Sequence, residues 1–470
     1  MASRILLIST NRNTRPDAVF PLGLAYVNAA LRRAGHDTRW MDCNFEAQPL
    51  ASVLREYRPH FVGVSVRNID DVLIRKRETF LGGLATIPET VREMNPCPVI
   101  LGGSGYSIFP ERLLRQTGAD YGIQGEGEQS FSALISKLIN NEDVTAIPGL
   151  VYRRGQEIVS NPQQPWPGAI GLEAADSPAH LVGHYLKSGG ILNLQTQRGC
   201  AQSCCYCTYP VIEGRVRRPR PPEIVAEEMA QLEAQGVGYV FIVDSVFNAS
   251  PRHVVEVCEA IIRRNLKIRW SCFLRPQGLT SSLMQIMVRA GLSHIEFGSD
   301  SFCDAVLKAY GKRLTFDDIR QASELARRHH LDYCHFLICG GPGETRETLQ
   351  TTFENSQSLS GAVILAMVGM RIYPATALCE QAIREGQLAA DADLLKPAYY
   401  LAPDLTEAEI FASLQEFSTR AANWIIGDPP ATYLRMVERL RRRGVSGPLW
   451  SYFSTIQRLW PTAADQAFNP

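Results

Sequence analysis

Four cysteines crowd into eight residues of this chain: Cys200, Cys204, Cys205 and Cys207. Cys200, Cys204 and Cys207 form a CxxxCxxC triplet, and thiolates at such spacing can wrap one iron–sulfur cluster. A 4Fe–4S cluster held by three thiolates keeps one iron open, and an open position is what a catalytic metal centre needs to bind its reactant. Two other readings stand beside this one, a zinc site and accidental clustering. Zinc usually takes four ligands, and no second CxxC or HxxxH lies nearby. Cys205 is a poor fourth thiolate, because adjacent residues point apart. The other eight cysteines are scattered, most of them in apolar strand-like or helix-like stretches, where a free cysteine behaves as a small hydrophobe. This usage does not fit a secreted disulfide scaffold and reads as a reducing, cytoplasmic protein.

The elements that must position the triplet follow from the apolar pattern. Strands are predicted at Ile191–Gln197, Tyr239–Asp244, Ile268–Leu274, His294–Ser299, Tyr333–Cys339 and Val363–Tyr373, with helices between them. Six βα units make a partial (β/α)6 barrel, and the carboxyl ends of its strands should carry the chemistry. The triplet sits in the loop after the first of them. The front of the chain has the same rhythm. Strands are predicted at Ile5–Ser9, Phe61–Val66, Val99–Gly103 and Tyr121–Gly125, and helices at Pro21–Gly35 and Glu128–Asn140. That alternation predicts a doubly wound parallel sheet, so the whole chain is of α/β class. GLVYRRGQEIV reads as a hairpin, NPQQPWPGAIG as a Pro-rich linker, and Thr406–Ile426, Pro430–Arg443 and a piece around Trp450–Leu459 as a helical tail. The expected division is 1–148, 149–189 for hairpin and linker, 190–395 for the barrel, and 396–470 for the tail.

Composition narrows the partners. With 470 residues, of which 48 are basic and 48 acidic, the net charge is zero, which argues against a nucleic-acid or anionic-membrane surface. No apolar run is long enough to span a bilayer, and Ile5–Ile8 is too short for a signal segment. The run Arg215-Val-Arg217-Arg218-Pro-Arg220 reads as a solvated loop, with greeting an anion as its other role. Tyr399, Tyr400, Trp424 and Trp450 read as core residues, with a lid as the alternative. His335, in phase with Tyr333 and Leu337, reads as core, with the barrel lumen as the alternative.

The triplet, with Tyr206 before its last cysteine, resembles the signature of the radical S-adenosylmethionine (SAM) superfamily. Other segments extend the resemblance over residues 190–390. Asp244, Ser245 and Asn248 follow the second barrel strand, like the segment that binds the amino group of SAM. Arg275 ends the third. Ser299 and Asp300 resemble the family's ribose segment, with Asp in place of the usual Glu. Gly340–Thr345 resembles the family's G-x-P-G-E-T turn, and Arg371 with Tyr373 its adenine-side segment. The front domain, over residues 1–145, resembles the cobalamin-binding domain fused to such barrels. Its expected cofactor contacts are Asn11, Arg12, Ser65, Arg67, Asn68, Gly102, Gly103, Ser104, Gly125, Glu126 and Gly127. Glycines at strand ends let backbone approach a large flat ligand. The Asp-x-His-x-x-Gly loop of many cobalamin domains is absent, and His36 and His60 read as loop residues, so the resemblance implies base-off binding without a His ligand to cobalt.

The resemblance implies a 4Fe–4S cluster, SAM and cobalamin (as methylcobalamin) as cofactors, and a reducing partner such as flavodoxin or ferredoxin. It implies an enzyme in which a 5′-deoxyadenosyl radical activates a carbon of a small molecule, natural-product-like or lipid-like, and a methyl group is then transferred from cobalamin. A rearrangement, cyclisation or ring contraction without methyl transfer is the alternative enzyme. A methylthiotransferase would need a second three-cysteine cluster, and the front domain has only Cys43 and Cys97. A non-catalytic cobalamin carrier or sensor would have no need of the triplet.

Overall fold

The computed structural model describes residues 2–13, 18–163, 174–188, 191–421, 423–429, 431–443, 445 and 447–453. Its front sheet has seven strands in the order Asp37–Asp42, Arg4–Ser9, Phe61–Ser65, Val99–Gly102, Tyr121–Ile123, Leu150–Arg154, Glu157–Ser160. The first five are parallel, and the hairpin Leu150–Arg154/Glu157–Ser160 extends the sheet antiparallel. Because Arg4–Ser9 lies between the second strand and the third, connections leave it toward opposite faces. A crevice therefore opens at the carboxyl ends, which is where ligands bind in such sheets. Apolar runs such as Ile5–Ile8 and Val99–Leu101 are buried, as strands covered by helices on both faces must be.

The second sheet is wholly parallel, in the order Leu192–Leu194, Tyr239–Ile242, Arg269–Leu274, Leu292–Asp300, Asp332–Cys339, Val363–Val368, Trp424–Ile426. The predicted strands are all present. The seventh corrects the expectation from sequence: the helix expected over Thr406–Ile426 runs as Glu407–Arg420, and Trp424–Ile426 pairs in parallel with Val363–Val368. A short β-branched run after a helix is easily absorbed into that helix by pattern alone. Asp37–Asp42, the strand expected just after His36, forms the edge of the front sheet. The expected helix at Pro430–Arg443 is Ala431–Arg441, and the piece around Trp450 begins as a 3-10 turn, Leu449–Ser451. Most of the expected linker and the stretch after Phe453 lie outside the described residues.

The two sheets share one apolar core. Phe20, Tyr26 and Ile123 of the front half belong to the same buried cluster as Tyr185, Leu194 and Val225. Between them, the helix Ala179–Ser188 lays Tyr185 against the front sheet, where its hydroxyl donates to Asp42 at 2.7 Å. No helix among the described residues is long and apolar enough to cross a membrane.

Candidate functional site

The cysteine loop is pinned at several points. Cys200 N–H donates to Gly214 O at 3.1 Å, Cys205 N–H to Tyr310 O at 2.9 Å, and Leu378 N–H to Cys205 O at 2.9 Å. Gly199 enters the loop at φ +86°, and a Cβ there would lie 2.0 Å from Val216 O, so no side chain is tolerated. Cys205 points away from the other three into an apolar cluster, its sulfur 3.9 Å from that of Met370. The thiols of Cys200, Cys204 and Cys207 stay close enough to influence one another: burial raises Cys204 and Cys207, and neighbouring cysteines of the triplet raise each further. Among the described residues no three His, Cys, Asp or Glu side chains converge on a single ion. A four-iron cluster asks less than that, since each thiolate binds its own iron and the sulfurs stay apart. The donor set and the mutual closeness of the three thiols fit such a cluster.

Beside the loop, the Tyr206 hydroxyl donates to Asp300 at 2.6 Å, and Lys312 ion-pairs with the same carboxylate oxygen at 2.6 Å. Burial is the largest single influence on Lys312 and works to lower it, but Asp300 together with the nearby Cys204 and Cys207 holds the ammonium above its ordinary value. Asp300 has φ +66° at a register break between neighbouring strands, a strained position for a residue with a Cβ. Lys312 carries no sequence signal at all.

Several residues expected to touch SAM are occupied by the protein. Asp244 accepts from Thr196 N–H, Thr196 Oγ1 and Gln197 N–H, and burial pushes its carboxyl up to about 7. Asn248 bridges Arg275 and Gln277 through their backbones. Ser299 bonds His335 at 2.7 Å, which is buried and also bonds Ser323, so His335 is core and Phe336 takes the lumen side. Arg371 pairs with Asp70 of the front half at 2.8 Å and donates to Leu394 O at 2.7 Å. Ser245 Oγ and Arg275 Nε, by contrast, are buried without a hydrogen-bond partner. Such orphaned groups are rare unless a ligand completes them.

All eleven residues expected to touch cobalamin line one cavity of about 1350 Å³. Ordinary small-molecule pockets hold roughly 300–1,000 Å³, so this one has room for more than one guest. Of the residues expected to contact SAM, Tyr373 alone lines it. Gly103, at φ +102°, sits where a Cβ would lie 2.6 Å from Val66 O, which keeps the crevice floor bare. Asn11 Nδ2 is buried without a partner. Arg67 on the cavity wall is buried enough to lower its guanidinium below the ordinary value, and its side chain donates to Asn68 at 3.0 Å. Bare backbone, an unpaired amide and a desolvated guanidinium fit a large, polar-edged ligand such as cobalamin. His36 and His60 accept from the amides of Ser3 and Arg4, away from this wall.

The arginine run is solvated only at its start, where Arg215 is exposed. Arg218 and Arg220 are buried and tie the two halves together. Arg218 grips both oxygens of Glu126 at 2.5 and 2.9 Å, and Arg220 pairs with Glu228 at 2.7 Å while donating to Tyr26 at 2.9 Å. Arg198 meets Glu128 at 2.7 Å. Glu126, although on the cavity wall, is thus engaged by Arg218. In one dimension these arginines look like surface, because what they meet in the front half, Glu126, Glu128 and Tyr26, lies far back along the chain.

The same cavity continues into the barrel lumen, past Phe241, Phe273, Phe336, Leu365 and Met367, to Trp450. Trp424 and Tyr400 are core, whereas Trp450 closes the lumen, its Nε1 donating to Glu296 at 2.8 Å. Glu296 is absent from the residues expected at the site, although an ionisable residue at a buried position of an apolar strand is the signal that marks it.

Comparison with known proteins supplies context for this geometry. The sequence profile of the Radical SAM superfamily matches residues 194–355, and that of the B12 binding domain matches residues 8–135. The tryptophan 2-C-methyltransferase of Streptomyces laurentii is 26% identical over 80% of this chain and 74% of that protein. The anaerobic magnesium-protoporphyrin IX monomethyl ester cyclase of Cereibacter sphaeroides is 26% identical over 71% of this chain and 55% of that one. In fold, the chain superimposes on the radical S-adenosylmethionine methyltransferase TsrM of Kitasatospora setae, solved with cobalamin and a 4Fe–4S cluster bound. The TM-score is 0.86 at 23% identity, covering 99% of this chain and 100% of that one.

Proposed function

This chain belongs to the radical SAM family whose members carry a cobalamin-binding domain, and from that premise we propose that it is a C-methyltransferase acting on a small molecule. The observation that carries the reading is a single cavity, shared by the glycine-lined crevice of the front sheet and the barrel lumen. A methyl donor held in the crevice faces a carbon held in the lumen with no wall between. The tryptophan 2-C-methyltransferase relative, matched over 80% of this chain, supports the same class of reaction.

When bound, the cluster with SAM supplies a hydrogen-abstracting carbon radical, and cobalamin supplies the methyl group. The chain's own residues do the rest. Cys200, Cys204 and Cys207 hold the cluster, with Tyr206, Asp300 and Lys312 bracing the loop. Ser245 and Arg275 offer unpaired polar atoms toward SAM. Asp244 and Asn248 act one step back, holding the loops after the barrel strands through backbone hydrogen bonds. Asn11, Ser65, Arg67, Asn68 and Ser104, with the bare backbone of Gly102, Gly103, Gly125 and Gly127, cradle cobalamin. The arginine seam and the Arg371–Asp70 pair keep crevice and lumen in register and exclude water from their junction. Electrons come from a small reductant protein such as flavodoxin or ferredoxin.

The test is the product ratio with SAM, reductant and a true substrate. A substrate heavier by one methyl, with S-adenosylhomocysteine and 5′-deoxyadenosine near one to one, is the expected result. 5′-Deoxyadenosine without S-adenosylhomocysteine would favour a rearrangement or cyclisation, the class named for the cyclase relative.

A further inference from the structure

The barrel lumen holds one ionisable group, Glu296, that the described residues only half satisfy. Glu296 lies on Leu292–Asp300, in register with Phe273 of the neighbouring strand, and is 6% exposed. One carboxylate oxygen accepts from Trp450; among the described residues the other accepts nothing, and it faces the cavity. Among the described residues no basic side chain acts on it: burial, offset in part by the Trp450 hydrogen bond, pushes its carboxyl up to about 7. His294, two residues earlier on the same strand, bonds Tyr239 and leans toward Asp332 instead.

Several other buried carboxylates in this chain are paired, although Asp71 Oδ2, on the crevice side of the cavity, is also buried without a hydrogen-bond partner. Glu228 has Arg220, Asp70 has Arg371, and Asp244 and Glu344 accept several hydrogen bonds. Holding the Trp450 indole needs only a neutral acceptor. A carboxylate left half-unpaired in a low-dielectric cavity is costly unless a cation or strong donor completes it. The walls around it are aromatic. Phe241 and Phe273 meet edge to face at 5.0 Å and Phe273 and Phe336 at 6.2 Å, surfaces that pack apolar bodies and tolerate cations.

We propose that Glu296 anchors a protonated or N–H-bearing nitrogen of the substrate, whose aromatic or branched apolar body fills the lumen above it. The substrate is then an organic amine or N–H heterocycle rather than a purely hydrocarbon or acidic molecule. This rests on the reading above that the lumen holds the substrate.

The test is calorimetric titration of the reconstituted holoenzyme with 2-phenylethylamine and its neutral isostere 2-phenylethanol. The amine should bind at least about tenfold more tightly, the range expected of a hydrogen bond to a charged group. Glu296→Gln should bring the amine down to the level of the alcohol. Trp450→Phe, which keeps the carboxylate, should preserve the preference. Equal affinities in the wild type, no binding of the amine, or a preference that survives Glu296→Gln would overturn the proposal. If Glu296→Gln does not fold, the wild-type comparison and Trp450→Phe still decide. Failure of the methyltransferase reading would show as absent S-adenosylhomocysteine and unmethylated product, which a binding preference does not affect.

Discussion

The seam between the two halves and the cavity they enclose are both rich in buried polar groups, and they treat them in opposite ways. At the seam Arg198, Arg218, Arg220 and Arg371 each meet a carboxylate. Around the cavity and the barrel mouth, Asn11 Nδ2, Ser245 Oγ and Arg275 Nε are buried without a hydrogen-bond partner, one oxygen of Glu296 accepts nothing among the described residues, and the three thiols of the triplet are free of disulfides. A buried charge met by an opposite charge is framework, and a buried polar group without such a partner is open to a ligand. The contrast predicts that changes at the seam cost stability, while changes at the open groups cost binding and leave the fold intact.

The largest expected effect is at the cysteine loop. The Cys200→Ala/Cys204→Ala/Cys207→Ala variant, reconstituted anaerobically, should fall from about four irons per chain to near none. Its apoprotein should melt within about 1 kcal/mol of the wild-type apoprotein. A variant that keeps its iron breaks the assignment; one that fails to fold breaks the comparison.

Next comes the seam. Arg220→Met leaves Glu228 buried without its cation, holding the Tyr26 and Ala175 hydrogen bonds, and removing one member of a buried pair costs about 3–5 kcal/mol. Thermal melting of the apoprotein should show a large fall, and adding Glu228→Leu should recover much of it. No recovery would mean that the Tyr26 and Gln195 contacts of Arg220 matter more than its charge partner.

A smaller effect, of opposite sign, is expected at Glu296. Its folded carboxyl lies near 7, above the ordinary 4.5, so between those values the folded state holds the extra proton. Stability contributed by this group is therefore present below about 4.5 and lost as pH rises through 7. Glu296→Gln removes that dependence. At pH 8 it should melt higher than the wild type by on the order of 1–3 kcal/mol, with the difference shrinking toward pH 5. A variant less stable at pH 8 would make Glu296 framework, like the seam.

The smallest effect sharpens the contrast within one loop. Cys205→Ala should keep the full iron content, because its sulfur packs against Met370, and should cost about 1 kcal/mol in lost packing. Loss of iron in this variant would show that Cys205 supports the cluster loop by more than packing.

Local chemistry is legible in the sequence. The CxxxCxxC triplet, the odd placement of Cys205 and the glycines that end the front strands all act through neighbours a few residues away, and short spacing records such relations. The parallel strands are legible too, because burial on both faces leaves runs such as Val99–Leu101 no polar alternative. Long-range pairing is not. Arg218 and Arg220 read as solvent-facing because nothing beside them says that Glu126 and Tyr26 will meet them. Asp244 and Arg371 read as cofactor contacts because the protein groups that occupy them are invisible in one dimension. Trp424–Ile426 reads as helix because only the open edge of Val363–Val368 makes it a strand.

What the sequence determined by itself was the kind of chemistry: thiolate spacing, strand periodicity and turn glycines are local properties of the chain. What only the tertiary structure decided was which polar groups are finished and which are left open. That depends on whether folding brings a partner within hydrogen-bond reach, and for Arg220 it brought Tyr26 across the seam whereas for Glu296 it brought a single indole and a cavity.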